Sequence, residues 1–408
     1  MSRFTNLTLS PDFLKLWLGQ TISQFGTWLG ALGLLAILHL DATPAQMGML
    51  ETLRAAPVLL LGLLAGVWVD RLSRRPLLIL ADVGRALLLA GVGLAAWNGW
   101  LRMEHLYAVA FVIGVLTIFF DIAYRAYLPA LMTRERLVTA NSRLSASESV
   151  AEIASPGLGG LLVQWLGAPL TLIVDAFSFL LSALFLLSIR RAEAPRRIKG
   201  VSSQTESVWS EIRTGLRFVY QRPILRALVG TAAMRRFFGG FFALYGLFVL
   251  KEVGLSATTL GILIGSGGIG ALLGAVMVDQ VRRRYGLGKV LIGTMFISGA
   301  LNLLIPLAYG PTWLAIMLLL IPQIIGDIFG VIYTILDISV RQSNTPDAML
   351  GRVNATFDFV ADGIGTVGMF VGGVLGSAIG MRSTLFVAAC GIMLATGWLL
   401  VSPVREME

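Results

Sequence analysis

The chain alternates long apolar runs with short polar breaks. The runs fall at about 13–38, 46–69, 76–97, 105–127, 139–165, 168–189, 224–249, 256–279, 288–308, 312–338, 350–378 and 382–402. Each approaches or exceeds the roughly 20 residues a helix needs to cross the hydrocarbon layer. The apolar positions are continuous rather than alternating every second residue, which predicts helices and not a barrel. The pattern therefore predicts an all-α membrane protein with about twelve transmembrane helices. The fifth and eleventh runs are rich in glycine and polar residues.

The breaks are not equivalent. Alternate ones carry Arg71, Arg74 and Arg75; Arg134 and Arg136; Arg190, Arg191, Arg196, Arg197 and Lys199; Arg282, Arg283, Arg284 and Lys289; and Arg341 and Arg352. Basic loops stay on the cytoplasmic side, so both termini are expected there. The longest polar stretch divides the chain into an N-terminal six-helix half (1–190), a cytoplasmic linker (191–223) and a C-terminal six-helix half (224–408). Within the linker Trp209, Ile212, Leu216 and Val219 have helical spacing, which predicts an amphipathic surface helix.

The halves echo each other. Glu135 to Asn141 precedes a helix ending Gly159-Gly160-Leu-Leu-Val-Gln-Trp-Leu-Gly167. A shift of about 213 residues gives Ala348 to Asn354, then Gly372-Gly373-Val-Leu-Gly-Ser-Ala-Ile-Gly380. Gly66-Val-Trp-Val-Asp70 with its arginines likewise echoes Ala275-Val-Met-Val-Asp279 with Arg282–Arg284.

Composition narrows the function. Of 408 residues, 56% are hydrophobic and only 13% charged, about half the charge of a soluble domain. The net charge of +9 sits in loops between spans, a topology signal, so no nucleic-acid partner is expected. One cysteine, Cys390, and two histidines exclude an internal disulfide and give no metal-ligand spacing. There is no nucleophile–base pair and no phosphate loop, so neither an enzyme nor direct ATP drive is expected, and no cofactor. The polar start, Met1–Pro11, carries no apolar core with a cleavage site, so no signal peptide is expected.

Charges inside spans are costly and by default mark function. On the fifth run Ser145, Glu148, Glu152 and Ser155 step by three and four residues along one helical face. Glu148 and Glu152 lie roughly 14 and 20 Å from its start. On the eleventh, Asn354, Asp358, Asp362 and Thr366 step by four. Glu148, Glu152 and Asp362 are the candidate proton-coupling groups. The seventh run has Arg235-Arg236-Phe237 near mid-membrane, and the tenth has Asp327; these are cavity candidates, the arginines to hold an anionic group or neutralise Glu148 or Glu152. Phe237, Phe241, Phe242, Tyr245, Tyr124 and Tyr127 are candidates for an apolar wall. Glu51 with Arg54, Asp82 with Arg85, and Asp121 with Arg125 are spaced as same-helix pairs, each acid neutralising its own arginine. Asp175 has no such partner.

Gly66-x-x-x-Asp70-Arg71-x-Ser73-Arg74-Arg75 resembles the loop signature G-x-x-x-D-R-x-G-R-R of the major facilitator superfamily, with Ser73 in place of glycine. Two like halves in parallel order are also the layout of that fold. The resemblance implies a cytoplasmic gate in which Gly66 permits close helix approach and Asp70, Arg71, Arg74 and Arg75 form a charge network, with Asp358 reaching Arg71 or Arg74. Ser155-Pro156-Gly157-Leu158-Gly159-Gly160 is similar to the antiporter signature G-P-x-x-G-G of drug exporters, with serine replacing the first glycine. It casts Pro156, Gly159 and Gly160 as a bent, tightly packed segment. Leu18 to Trp28, containing the cavity candidate Gln24 beside Phe25, and Phe120 to Arg143 resemble the branch holding macrolide-efflux proteins and the enterobactin exporter. The resemblance implies a proton-driven exporter of bulky amphipathic compounds in a bacterial inner membrane, monomeric and embedded in lipid. The alternatives are a dedicated exporter of an endogenous siderophore or lipid-like metabolite, and a receptor or scaffold that no longer transports.

Overall fold

The computed structural model describes residues 10–132, 134–190 and 208–407, without the side chains at 63, 64, 67, 70, 134, 135 and 208–212. Much of the expected linker, with Arg191, Arg196, Arg197 and Lys199, and the side chains of Asp70, Trp209 and Ile212 lie outside the described residues. Among the described residues, nine helices are long and apolar enough to cross a membrane. They are α1 (Pro11–Leu38), α3 (Arg74–Trp97), α4 (Met103–Leu131), α6 (Ala168–Ser188), α7 (Pro223–Glu252), α8 (Ala257–Tyr285), α10 (Thr312–Ser343), α11 (Asp347–Ile379) and α12 (Met381–Leu400). Three more complete the bundle: α2 (Pro44–Arg71), the polar α5 (Arg134–Leu166) and the short α9 (Leu287–Asn302).

Local chemistry sets the helix ends. Thr43 and Gln46 form a reciprocal cap at α2, with Pro44 in the first turn where its missing N–H costs nothing. Gly167 (φ 81°) alone joins α5 to α6 and Gly380 (φ 86°) alone joins α11 to α12. Both turns need a left-handed residue; these are the two glycines closing the internal repeat.

Helices α1–α6 pack with one another, as do α7–α12, and the halves meet along α2–α11 and α5–α8. These seams lie at the end away from the chain termini. There a single hydrophobic core runs through both halves, with Leu35, Leu50, Leu106 and Leu172 joined to Leu244, Phe248, Leu260 and Leu319. At the end carrying the termini the core splits in two. Phe13, Leu78, Phe120 and Leu131 pack only within the first half. Leu228, Leu291, Leu336 and Phe357 pack only within the second. The molecule is therefore closed at one face and open at the other.

The linker helix spans Val208–Gln221. It docks on α11, where a Cβ on Gly215 would meet the Thr356 hydroxyl and the Arg352 carbonyl. Val219 is buried in the core of the second half, while Leu216 is exposed. The expected apolar stripe thus divides between the bundle and the outside.

Candidate functional site

Three spans depart from regular helix. Helix α1 breaks around Gly30 (φ 66°). Helix α7 tightens at Phe241–Leu244 and widens into a π turn at Phe248–Glu252. Helix α10 carries a π turn at Pro322–Gly326. Pro322 offers no N–H to the ladder, and the extra residue in the turn re-aims the next side chain, that of Asp327. Gly267 and Gly270 of α8 make room for it: a Cβ on Gly267 would strike the Asp327 carboxylate.

A cavity of about 590 Å³ opens between the halves. Its charged wall comes from Arg235 and Arg236 on α7, Asp327 on α10 and Asp362 on α11. Asn302, Ser298, Thr334 and Thr366 add polar groups, and Ala55, Val58, Met369, Ile335 and Ile392 the apolar ones. Four residues singled out in the sequence thus converge.

Their pairing differs from expectation. Arg236 Nη2 lies 3.8 Å from Asp362 Oδ1, across α7 and α11. The Arg235 guanidinium stands 5.5 Å from the centre of the Tyr333 ring and within electrostatic reach of Asp337. Neither arginine is engaged with Glu148 or Glu152. Glu152, exposed on α5, instead faces Asp327 from the opposite half. Glu148, also exposed, lies near Asp121 and Tyr124 of α4. Asp337, which sequence reasoning misses, is buried on α10 in a Tyr333–Asp337–Arg341 series; its four-residue steps are the available signal.

None of the aromatics named from the sequence is among the residues lining this cavity. Phe237 packs edge-on against Phe238 and Phe241, at 5.1 and 5.4 Å, while Gly368 of α11 fits against its backbone. Phe241, Tyr245 and Tyr127 are buried among helices, and Tyr124 stacks on Phe120. Gln24 has a buried, unpartnered Oε1, as does Gln20 one turn before it. Phe25 lines a separate small pocket with Trp17 and Arg143.

Of the expected gate, the Asp70 side chain lies outside the described residues. Gly66 has nothing within 4 Å of a Cβ position. Asp358 finds its charged neighbours, Arg341, Asp362 and Arg236, within its own half rather than at Arg71 or Arg74. Arg71 is exposed. Arg74 donates to the Ala126 carbonyl on α4. Arg75 donates to the carbonyls of Leu186 (3.0 Å) and Leu187 (2.7 Å) at the end of α6. These arginines tie three helices of one half together, where cations suit the carbonyl ends.

The opposite face carries the seal. A Cβ on Gly160 would collide with Ala257 and Thr258 of α8, and one on Gly261 with Pro156 and Gly157 of α5. In the other seam, a Cβ on Gly373 would lie 2.7 Å from the Gly48 Cα and 2.9 Å from the Pro44 carbonyl. Gly159 is occupied against Leu29 of α1. The 213-residue repeat maps Pro44 and Gly48 onto Ala257 and Gly261, and Gly160 onto Gly373, so the seal is one contact used twice. Ser377 Oγ accepts from the Ala45 N–H at 3.0 Å, Thr258 donates to Gln164, and Lys251 pairs with Asp41 at 2.5 Å.

Two pseudo-equivalent six-helix halves around a cavity with one open face define a secondary transporter of the major facilitator class, a membrane carrier of small molecules and not an enzyme. Within that class the chain belongs to the transmembrane secretion effector family, whose model matches residues 3–408. It is 30% identical over 351 residues to the multidrug efflux pump Tap of Mycolicibacterium fortuitum, covering 83% of this chain and 82% of that protein. A mutant form of the nucleoside transporter NupG superposes with a TM-score of 0.75 at 15% identity over 95% of this chain and 99% of its own. A bacterial homologue of the iron transporter ferroportin matches at TM-score 0.74 in its inward-facing state, at 17% identity over 95% and 98% of the two chains. In its outward-facing state the TM-score is 0.55, at 16% identity over the same shares.

Proposed function

We propose that this protein is a proton-coupled exporter of bulky amphipathic compounds, working by alternating access in a bacterial inner membrane. Both termini lie in the cytoplasm, the state described is inward-facing, and a monomer suffices because one chain encloses the cavity. The observation that carries the reading is the composition of the cavity: a mixed polar and apolar wall, reached from the terminal face, that holds Asp327 with Glu152 of the opposite half within electrostatic reach of it. Glu152 and Asp327 approach from opposite halves, so a proton between them relieves like-charge repulsion only when the halves are close. Proton uptake from outside then favours return to the inward-facing state, and substrate displaces the proton there.

The charge balance bears on the substrate. Arg236 is engaged by Asp362 and Arg235 lies near Asp337, while Glu152 and Asp327 have no cation beside them among the described residues. This favours neutral or cationic amphipathic molecules over a catecholate. The name of the Tap relative agrees with a broad, drug-like range. The test is proton flux in everted vesicles with an acid interior, challenged with macrolides, lipophilic cations and catecholate siderophores. Substrate-dependent proton release that Glu152→Gln lacks supports the reading. Release with catecholates alone favours a dedicated exporter, and flux without protons removes the coupling.

A further inference from the structure

The N-terminal half holds an ionisable cluster that the substrate cavity does not include. On α3, Arg85 Nη2 lies 2.5 Å from Asp82 Oδ1, and both residues are buried, at 5% and 0% exposure. The guanidinium is clasped between Phe120 of α4 and Phe179 of α6, 4.4 Å from each ring centre. Phe120 precedes Asp121, and Phe179 follows Asp175 by one helical turn. Arg85 thus stands among three acids from three helices, and its charge reaches Asp121 and Asp175 as well as Asp82.

The charges do not balance. Asp82 and Arg85 already form a neutral pair, although Asp82 Oδ2 and Arg85 Nε are buried without a hydrogen-bond partner. Asp175, 6% exposed, has among the described residues only the Ser178 hydroxyl, at 3.3 Å from its Oδ1. A second ionised carboxylate here would be an uncompensated charge inside the bilayer, which is among the costliest arrangements a protein can hold. The groups facing it are Arg85 from α3, Ser178 from its own helix and Gly26 from α1. Asp82 and Asp121 share the Arg85 charge, and Arg125 and Glu148 lie within electrostatic reach of Asp121.

We propose that Asp175 is a second buried site of proton coupling, acting with the Glu152–Asp327 pair, and that Arg85 is the counter-charge shared between Asp82 and Asp175 when Asp175 gives up its proton. This rests on the proton-coupled function and adds a protonatable group in the first half, away from the substrate wall. The site has a mechanical outlet. A Cβ on Gly26 would collide with the Asp175 carboxylate and the Ser178 hydroxyl. Four residues on, α1 breaks at Gly30. The Leu29 carbonyl rests on Gly159, and the adjacent Gly160 meets α8 in the seal. A change of charge at Asp175 therefore bears on α1 at its weakest point, one contact from the seam that must open.

The experiment joins two measurements on purified full-length protein. Infrared difference spectra between neutral and alkaline pH, without substrate, report the carbonyl stretch of a protonated carboxyl group. We expect this band in the wild type, lost in Asp175→Asn, shifted in Ser178→Ala and retained in Glu152→Gln. In proteoliposomes, Asp175→Asn should retain substrate counterflow without a gradient but lose substrate-driven proton release. A band that survives unmoved in both Asp175→Asn and Ser178→Ala overturns the assignment, as does wild-type proton release by Asp175→Asn. Failure of the proton-coupled function looks different: the wild type then releases no proton with any substrate, and the coupling role of Asp175 falls with it.

Discussion

Replacing Gly373 by alanine tests whether the glycine seams set the balance between the two faces. The new Cβ would sit 2.7 Å from the Gly48 Cα and 2.9 Å from the Pro44 carbonyl, both backbone atoms that no rotamer change can move. Restoring ordinary contact requires α11 and α2 to part by roughly 1 Å, and such overpacking typically costs about 1–3 kcal/mol. Alanine also favours helix over glycine by about 1 kcal/mol, but that gain is common to the open and closed states and cancels between them. At 1.4 kcal/mol per factor of ten, the closed state should lose roughly 5- to 150-fold in population. The assay uses a Cys390→Ser background with Met369→Cys, a cavity position beside the seam, labelled from the sealed side by an impermeant maleimide. Labelling should accelerate in Gly373→Ala. It should not change in Gly62→Ala, on α2 with nothing within 4 Å of a Cβ, which matches the propensity gain without the collision. Equal labelling in all three backgrounds would refute the reasoning.

Three further outcomes are expected. Arg236 and Asp362 are 58% and 44% exposed, so a double-mutant cycle on thermal stability should give a coupling below about 1 kcal/mol, while either single change alters transport more than folding. Arg75→Lys cannot serve the Leu186 and Leu187 carbonyls with one fork, and should lower stability by about 1 kcal/mol, read as a fall in melting temperature. Glu152→Gln and Asp327→Asn each remove a titrating group from the facing pair, so the pH dependence of transport should flatten in both; a wild-type pH profile in either would exclude that pair from coupling.

The placement of the helices is legible because a spanning helix is a local property, written in consecutive apolar residues. The seams are legible for a related reason. Gly160 and Gly373, like Gly167 and Gly380, recur at one spacing because each half solves the same packing problem. Pairing across helices is not legible. Asp82 and Arg85 read as a closed same-helix pair, and the pair is there, but nothing in the spacing tells that Phe179 brings Arg85 beside Asp175. Likewise the spacing sets Arg236 against glutamates on α5, whereas its partner, Asp362, stands on the helix packed against its own. Gly66 reads as a close helix approach and Asp358 as a partner of Arg71 or Arg74; in the structure nothing lies within 4 Å of a Gly66 Cβ and the charged neighbours of Asp358 are in its own half. Arg74 and Arg75 read as gate charges, and the carbonyls they also hold on α4 and α6 leave no mark in the sequence.

The doubled glycine seam has a thermal consequence. Its backbone contacts front the one hydrophobic core that runs through both halves, with Leu35 and Leu50 joined to Leu244 and Leu260, so parting it uncovers apolar side chains. The heat-capacity change on unfolding or opening follows the apolar area exposed. Opening these seams should therefore carry a positive one, so that the ratio of the two faces shifts with temperature.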